Sequence, residues 1–170
     1  MACIVNEGWS LGCRDNTGGI QEFYIKSFSS TQSYTYDIDG KIGTASVAET
    51  FYRIEQVSET GEFLQNGQHS PENGTNFWEQ DVNMVFHKYQ ASVRDLVYVL
   101  AQKELLVLAK DQNGKVFMIG EQNGANLVAS TANVGKAYGD MNGATVGLKA
   151  KEPSPARECS ASYLASITIV

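Results

Sequence analysis

Apolar and polar residues alternate along most of the chain, which is the pattern of β-strands with one buried face. The clearest case is the segment 77–89, in which Trp78, Val82, Met84 and Phe86 fall on one face. Further short strands are predicted at residues 20–28, 34–36, 49–57, 105–110, 115–120, 127–129, 144–150 and 162–170, with alternation clearest at 20–28 and 34–36. The chain is therefore predicted to be mainly β.

One segment departs from this period and predicts an α-helix. From about Ser92 to about Lys103, apolar residues recur at spacings of three and four, as they do on one face of a helix. Ser92, followed three residues later by Asp95, has the form of a capping box. We expect this helix to lay one apolar stripe, which includes Leu96, on a sheet.

The turns complete the architecture. Asp39-Gly40 and Asn113-Gly114 are dipeptides that tolerate the positive φ of tight hairpin turns. Many short strands, one helix and no regular alternation of strand and helix predict an antiparallel β-sandwich or barrel with one flanking α-helix. The length of 170 residues suits one domain, 1–170, and no linker or repeat divides it.

Two segments are expected to lie outside the sheets. Glycines and polar turn formers predict an N-terminal arm at about 1–19, and a polar stretch with glycines and a proline predicts a long loop at about 58–75. The apolar side chains in these segments are Trp9, Leu11, Phe63 and Leu64. Either they fold back over the ends of the barrel, or they dock on a neighbouring subunit by strand addition or pocket insertion.

The composition narrows the function classes. Net charge is −6 with 19% charged residues, and this acidic balance argues against a grip on the phosphate backbone of nucleic acid. No apolar stretch approaches the roughly 20 residues of a membrane span, so no membrane partner is expected. The N-terminus lacks the basic and apolar regions of an export signal.

The chemistry-bearing residues are few. The three cysteines, Cys3, Cys13 and Cys159, indicate free thiols in a reducing cytoplasm, with a Cys3–Cys13 bridge as the less favoured alternative. A Cys13–His87 nucleophile pair has no activating sequence around it. The cysteines and the two histidines, one of which is His69, are too scattered to give the closely spaced ligand pairs of a zinc site. No catalytic, metal or cofactor site is therefore predicted, and the chain is expected not to be an enzyme.

The order of these features resembles the tail tube (major tail) proteins of tailed bacteriophages. The likeness covers most of the chain and consists of a glycine-rich start, paired strands, a long polar loop, a long strand, one helix and a tight hairpin. The segments that carry it most clearly are 11–15, 18–20, 112–124, 137–143 and 152–153.

The resemblance implies a virion structural protein that assembles into stacked, usually sixfold rings, which form the channel for phage DNA. Its partners would be copies of itself and other tail proteins, with DNA passing through without specific binding, and assembly would take place in the host cytoplasm. An acidic lumen would repel the DNA backbone. Glu79 and Asp81, on the polar face of the long strand, are the acidic residues expected to face the lumen, although a plain solvated face is the alternative.

Two other interpretations stay open. The chain could be another tail or head–tail connector component of the same fold. It could also be a monomeric β-sandwich that binds a ligand or carbohydrate, because aromatic side chains are numerous. Self-assembly separates the virion interpretations from the monomeric one.

Overall fold

The structure is a computed structural model that describes residues 8–10 and 12–170. The strands are β1 (Ile20–Ser27), β2 (Tyr34–Tyr36), β3 (Ile42–Ala45), β4 (Thr50–Glu55), β5 (Glu62–Ser70), β6 (Thr75–His87), β7 (Leu105–Asp111), β8 (Val116–Ile119), β9 (Ala125–Asn133), β10 (Gly143–Glu152), β11 (Arg157–Glu158) and β12 (Thr168–Ile169). The helices are α1 (Ala91–Leu100) and α2 (Ala161–Ser166).

Ten strands form one continuous sheet that bends at one corner into two facing layers, and β2 and β3 form a separate two-stranded sheet. The strand order is β12-β4-β1-β7-β9-β10-β6-β5, with β8 added to β7 and β11 added to β8. Leu105 and Ala125 form the β7–β9 register pair, so the path bends there. One core cluster combines Phe23 and Val107 from one side of this corner with Val82 and Val146 from the other. The predicted mainly β, sandwich-like fold is confirmed.

Strand β7 is buried on both faces, and its sequence gives the reason. Residues 105–109 are all apolar, and all five are buried. Their alternate side chains enter two different core clusters, one between the sheets and one beneath the β2–β3 hairpin and α2. A continuous apolar run is what a strand needs when both of its faces are covered.

The helix lies where the sequence predicts it, with different ends. Helix α1 begins at Ala91 and ends at Leu100, so residues 101–103 are not helical. The predicted capping box is absent: Gln90 is the N-cap residue and makes no side-chain cap. The Ser92 hydroxyl instead accepts a hydrogen bond from the Gln90 side chain.

The predicted loop at 58–75 is wrong, because most of it is strand β5 followed by a turn at 71–74. Strand β5 pairs with β6 through nine register pairs, from Glu62–Asn83 to Ser70–Thr75. Its alternation is weak in the sequence because the face that turns inward carries few apolar side chains. Main-chain hydrogen bonds, which do not depend on the side chains, hold it to β6.

The predicted strand at 162–170 is wrong for most of its length, because α2 occupies residues up to Ser166 and only Thr168–Ile169 is strand. Ser160 caps α2 there, and its hydroxyl accepts a hydrogen bond from the Tyr163 N–H at 3.2 Å. Tyr163 is fully buried, so this short helix serves to close the second core cluster. The chain then pairs β12 with β4 in parallel, which makes the sheet mixed rather than purely antiparallel.

Candidate assembly surface

Strands β9, β10, β6 and β5 form one layer of the sandwich, which we call the outer sheet. One of its faces packs into the core through residues such as Val82, Met84 and Leu148. The other face is directed away from the core. Strand register places Leu64, Asp81 and Lys149 side by side across β5, β6 and β10 on this outward face.

Charges on the outward face are arranged in pairs. Lys149 Nζ lies 3.2 Å from Asp81 Oδ1 and 3.4 Å from Glu79 Oε2, and Lys151 Nζ lies 3.2 Å from Glu79 Oε1. The hydrogen bond from Lys151 lowers the pKa of Glu79. The hydrogen bond to Asp81 raises the pKa of Lys149. The two acidic residues singled out from the sequence therefore share one face, where they hold two lysines.

Both lateral edges of the outer sheet are open. Strand β5 pairs with β6 alone among the strands of the described chain. Strand β9 pairs with β10 along its length and with β7 at Ala125, so residues 126–133 have no strand on their other side within the described residues. Each of these edge strands is nine residues long.

The two open edges run in opposite directions. Each neighbouring pair in the order β9-β10-β6-β5 is antiparallel. Three antiparallel steps leave β5 and β9 antiparallel to each other. A second copy in the same orientation could therefore place its β9 against β5 and continue an antiparallel sheet.

A groove lies between α1 and the end of the outer sheet, over β9 and the start of β10. It has a volume of about 390 Å³ and lies between α1 and β9, with Val97, Tyr98 and Ala132 among its lining residues. The apolar side chains of Val99 and Val128 are exposed nearby in sequence on the same two elements. An apolar groove beside an unpaired strand is the arrangement that strand addition uses for specificity.

The four apolar residues expected at an interface have different positions. Trp9 is 92% exposed in the arm, and Leu64 is 48% exposed on the outward face of the outer sheet. Phe63 lies on β5, is half-buried, packs against the core and stacks on Phe117 of its own chain. Leu11 lies outside the described residues.

The base of the arm is attached to the β7–β8 hairpin. The Thr17 N–H donates to Asn113 Oδ1 at 3.0 Å, and Asn113 Nδ2 donates to Asn16 Oδ1 at 2.7 Å. A groove of about 700 Å³ opens beside this attachment, between residues 16–20 and 59–63. The sequence indicated an arm, but only the structure places its base against the turn at Asn113.

The residues considered for catalysis are scattered. Cys13 is exposed in the arm, whereas Cys159 is buried, and burial raises the pKa of its thiol. His87 ends β6, and His69 packs edge-on against Trp78. No cluster of three or more His, Cys, Asp or Glu side chains suited to a metal occurs among residues 8–10 and 12–170.

Buried polar groups are the feature that sequence reasoning missed. The Glu49 carboxylate accepts hydrogen bonds from the Tyr34 hydroxyl at 2.9 Å and from the Tyr163 hydroxyl, and it is paired with Lys26. These contacts join the β2–β3 hairpin and α2 to the strands beneath them. Their partners are distant in sequence, so no local pattern could have revealed them.

Comparisons with known proteins add no assignment. A scan of protein-family models and searches of curated proteins and of solved structures each gave no match. In the described part of the chain, no helix has the length and apolar character needed to cross a membrane.

Proposed function

We propose that this chain is a self-assembling structural subunit of a phage tail tube. The outer sheets of neighbouring copies would join edge to edge into a ring, and the rings would stack around a channel through which DNA passes. The chain would carry out no catalytic turnover. The resemblance in the order of sequence features and the geometry of the outer sheet support this proposal.

The observation that carries it is the pair of open edges on one sheet, which are antiparallel to each other and of similar length. An exposed edge strand presents unpaired N–H and C=O groups, which natural proteins normally cover. Joining β5 of one copy to β9 of the next covers both edges in every subunit. Such a head-to-tail contact closes into a ring when the rotation between copies divides the full circle.

The size of such a ring suits a channel. Six copies of a four-stranded sheet would give a barrel circumference of about 115 Å at about 4.8 Å per strand, or a diameter of roughly 37 Å. Strand tilt widens this figure, and side chains on the inner surface narrow it. The outward face of the outer sheet would line the channel.

The charges on that face suit the passage of DNA. Lysines grip DNA by neutralising phosphates and releasing counterions. Here, Glu79 and Asp81 already neutralise Lys149 and Lys151 within hydrogen-bonding or ion-pair distance. The ammonium groups of this face are paired with carboxylates of the same chain. They are therefore not available to bind phosphates, and DNA would pass along the face without being held.

One other candidate rests on an observation of its own. The groove of about 700 Å³ at the base of the arm is large enough for a small molecule and has Phe63 and Phe117 in its lining. A monomeric ligand-binding β-sandwich would use this groove and leave its sheet edges unpaired. A different tail or connector component of the same fold would assemble as the tube subunit does.

Proline scanning of the open edge tests the proposal. Successive residues of a strand direct their N–H groups to opposite sides, so one of Ser130 and Thr131 donates to β10 and the other points to the open edge. Proline at the edge-facing position is tolerated within the subunit, but it has no backbone N–H to donate to a strand of the neighbouring subunit. We expect the better folded of Ser130→Pro and Thr131→Pro to remain monomeric in negative-stain electron microscopy, while the wild type and Ser130→Ala form rings or tubes.

Two results would count against the proposal. One is rings of normal size from a well-folded proline variant, because the β9 edge would then not be the contact. The other is a wild-type protein that stays monomeric over a wide concentration series, with or without a tail-initiating assembly added. That second result would favour the ligand-binding domain.

A further inference from the structure

We propose that rings of this protein stack through the loop 134–142, with Tyr138 of each subunit inserting into a groove beside Phe77 of a second copy in the next ring. This inference rests on the proposed ring. It names the residues that would form the contact between successive rings along the tube axis, which the proposed function does not specify.

The loop 134–142 holds an aromatic side chain fully in solvent. It joins β9 to β10, and Tyr138 lies at its tip with no shielding from the rest of the chain. Val134 and Met141 are also exposed in this loop. A fully exposed tyrosine flanked by apolar side chains is typical of the anchor residues that dominate protein interfaces.

The loop is ordered by its own hydrogen bonds. Asp140 Oδ2 accepts from the backbone N–H groups of Lys136 at 2.7 Å and Ala137 at 2.8 Å, and these bonds lower the pKa of Asp140. Gly135 adopts a φ of +77°, and its N–H donates to Asn133 Oδ1. Tyr138 is therefore presented by a preformed turn, which reduces the entropy lost on docking.

A receiving groove lies at the opposite end of the same sheet. It has a volume of about 410 Å³ and is lined by Asn76, Phe77, Lys151 and Pro153, among others. Lys151 Nζ lies 5.7 Å from the centre of the Phe77 ring, so the groove has an aromatic wall and a cationic rim. A tyrosine ring with its hydroxyl suits such a mixed wall.

Strand β10 connects the loop to the groove. It begins at Gly143, directly after the loop, and ends at Glu152, directly before Pro153. Ten residues of strand separate the two features by about 30 Å. All subunits of a closed ring point the same way, so every Tyr138 would project from one side of the ring and every groove would open on the other.

Charge supports this direction of docking. The charged groups of the loop are Lys136 and Asp140, and the Asp140 carboxylate is already occupied by two N–H groups of the loop. The β5–β6 turn at 71–74, next to the groove, carries Glu72 as its charged residue. Lys136 of one ring would therefore approach Glu72 of the next.

The experiment uses rings of two variants, each prepared separately. Tyr138→Ala removes the anchor and keeps the groove, whereas Phe77→Ala alters the groove and keeps the anchor. We expect each variant alone to form rings but to reduce mean tube length at least about tenfold in negative-stain electron microscopy. Equal mixing of the two kinds of ring should give pairs of rings, because only one intact loop–groove contact is possible between them.

Tyr52→Ala is the matched control, since Tyr52 is an exposed tyrosine on β4, outside the outer sheet. It should form tubes of wild-type length. Tubes of wild-type length from Tyr138→Ala, or an equal mixture that gives no ring pairs, would overturn the stacking contact and leave the ring proposal standing. A wild type that forms no rings under any condition would instead overturn the proposed function, and the stacking contact with it.

Discussion

Glu22 is a buried charged residue on the face of β1 that also carries Tyr24, and its neighbours explain why it is tolerated there. Its carboxylate accepts hydrogen bonds from Lys110 Nζ at 2.8 Å and from the Tyr24 hydroxyl at 2.6 Å. Arg53 Nε donates a further bond at 2.5 Å. Burial alone would raise the pKa of Glu22, but these hydrogen bonds outweigh it and lower the pKa from 4.5 to about 2.

This lowered pKa makes stability depend on pH. A carboxyl group whose pKa is lower in the folded state stabilises the fold above its unfolded pKa, and the contribution is lost as pH falls through the folded value. We expect Glu22→Gln to lower the free energy of unfolding by about 2 kcal/mol at pH 7. The difference from wild type should shrink between pH 5 and pH 2, measured by urea unfolding at each pH.

A control separates this effect from general acid unfolding. Glu55→Gln changes an exposed carboxylate on β4, and its small effect should not vary in the same way. A Glu22→Gln difference that stays constant from pH 7 to pH 2 would show that the Glu22 carboxylate is not ionised in the folded protein.

Single residues also show what the sequence could not reveal. Glu22, Glu49 and Glu152 are buried, although the sequence places them among ordinary polar positions. Each has a partner at least 29 residues away, such as Asn123 for Glu152 and, 114 residues away, Tyr163 for Glu49. Local alternation predicts the face of the strand on which a residue lies. It does not predict which distant residues will form hydrogen bonds or ion pairs with a buried carboxylate.

The role of Gly120, the residue directly after β8, was also not predictable from the sequence. It adopts a φ of +74°, and a Cβ there would lie 2.7 Å from the Ala125 backbone nitrogen. The sequence marks Gly120 as the end of a strand, but the close approach of two backbone segments is visible only in the fold.

At the scale of elements, strands with a strong period of two were predicted well. Strands β1, β6 and β10 lie within a few residues of their predicted ends. Two elements were misassigned for different reasons. Beyond Phe63 and Leu64, strand β5 carries no large apolar side chain on either face. The segment of α2 alternates like a strand, while Ser160 starts a helix there.

Helix α1 gives a prediction at this scale. Leu96 packs against the core between the sheets, whereas Val99 on the same helix is exposed. We expect Leu96→Asp to lower the free energy of unfolding by about 3 kcal/mol, because it places a carboxylate in an apolar contact without a partner. Urea unfolding at low protein concentration is the measurement.

Val99→Asp is the matched control, since it puts the same charge on the exposed side of α1. Its effect should stay within about 0.5 kcal/mol. Equal effects of the two substitutions would mean that α1 does not use its Leu96 face to cover the core.

At the scale of the whole molecule, the assembly surface could be predicted only in part. The polar face of β6, with Glu79 and Asp81, follows from alternation alone. The lysines that pair with them lie on β10, about 70 residues away in sequence, and strand register brings them together. The open edges of β5 and β9 depend on the strand order, which no local pattern specifies.

The paired charges lead to a prediction about DNA. If Glu79 and Asp81 neutralise the lysines of the channel, then Glu79→Gln combined with Asp81→Asn should free Lys149 and Lys151 to contact phosphate. We expect rings or tubes of this double variant to retain short duplex DNA at low salt, where wild-type rings or tubes do not. Retention should fall steeply as salt rises, because each phosphate contact releases counterions.

The net charge of the variant changes by two, so the control must change it equally. Asp15→Asn combined with Glu55→Gln does this on the arm and on β4, away from the outer sheet. If the control retains as much DNA as the first double variant, total charge rather than the outward face governs the interaction. If neither variant retains DNA, the lysines of the outer sheet do not face a channel that DNA enters, and the orientation of the subunit in the ring must be reversed.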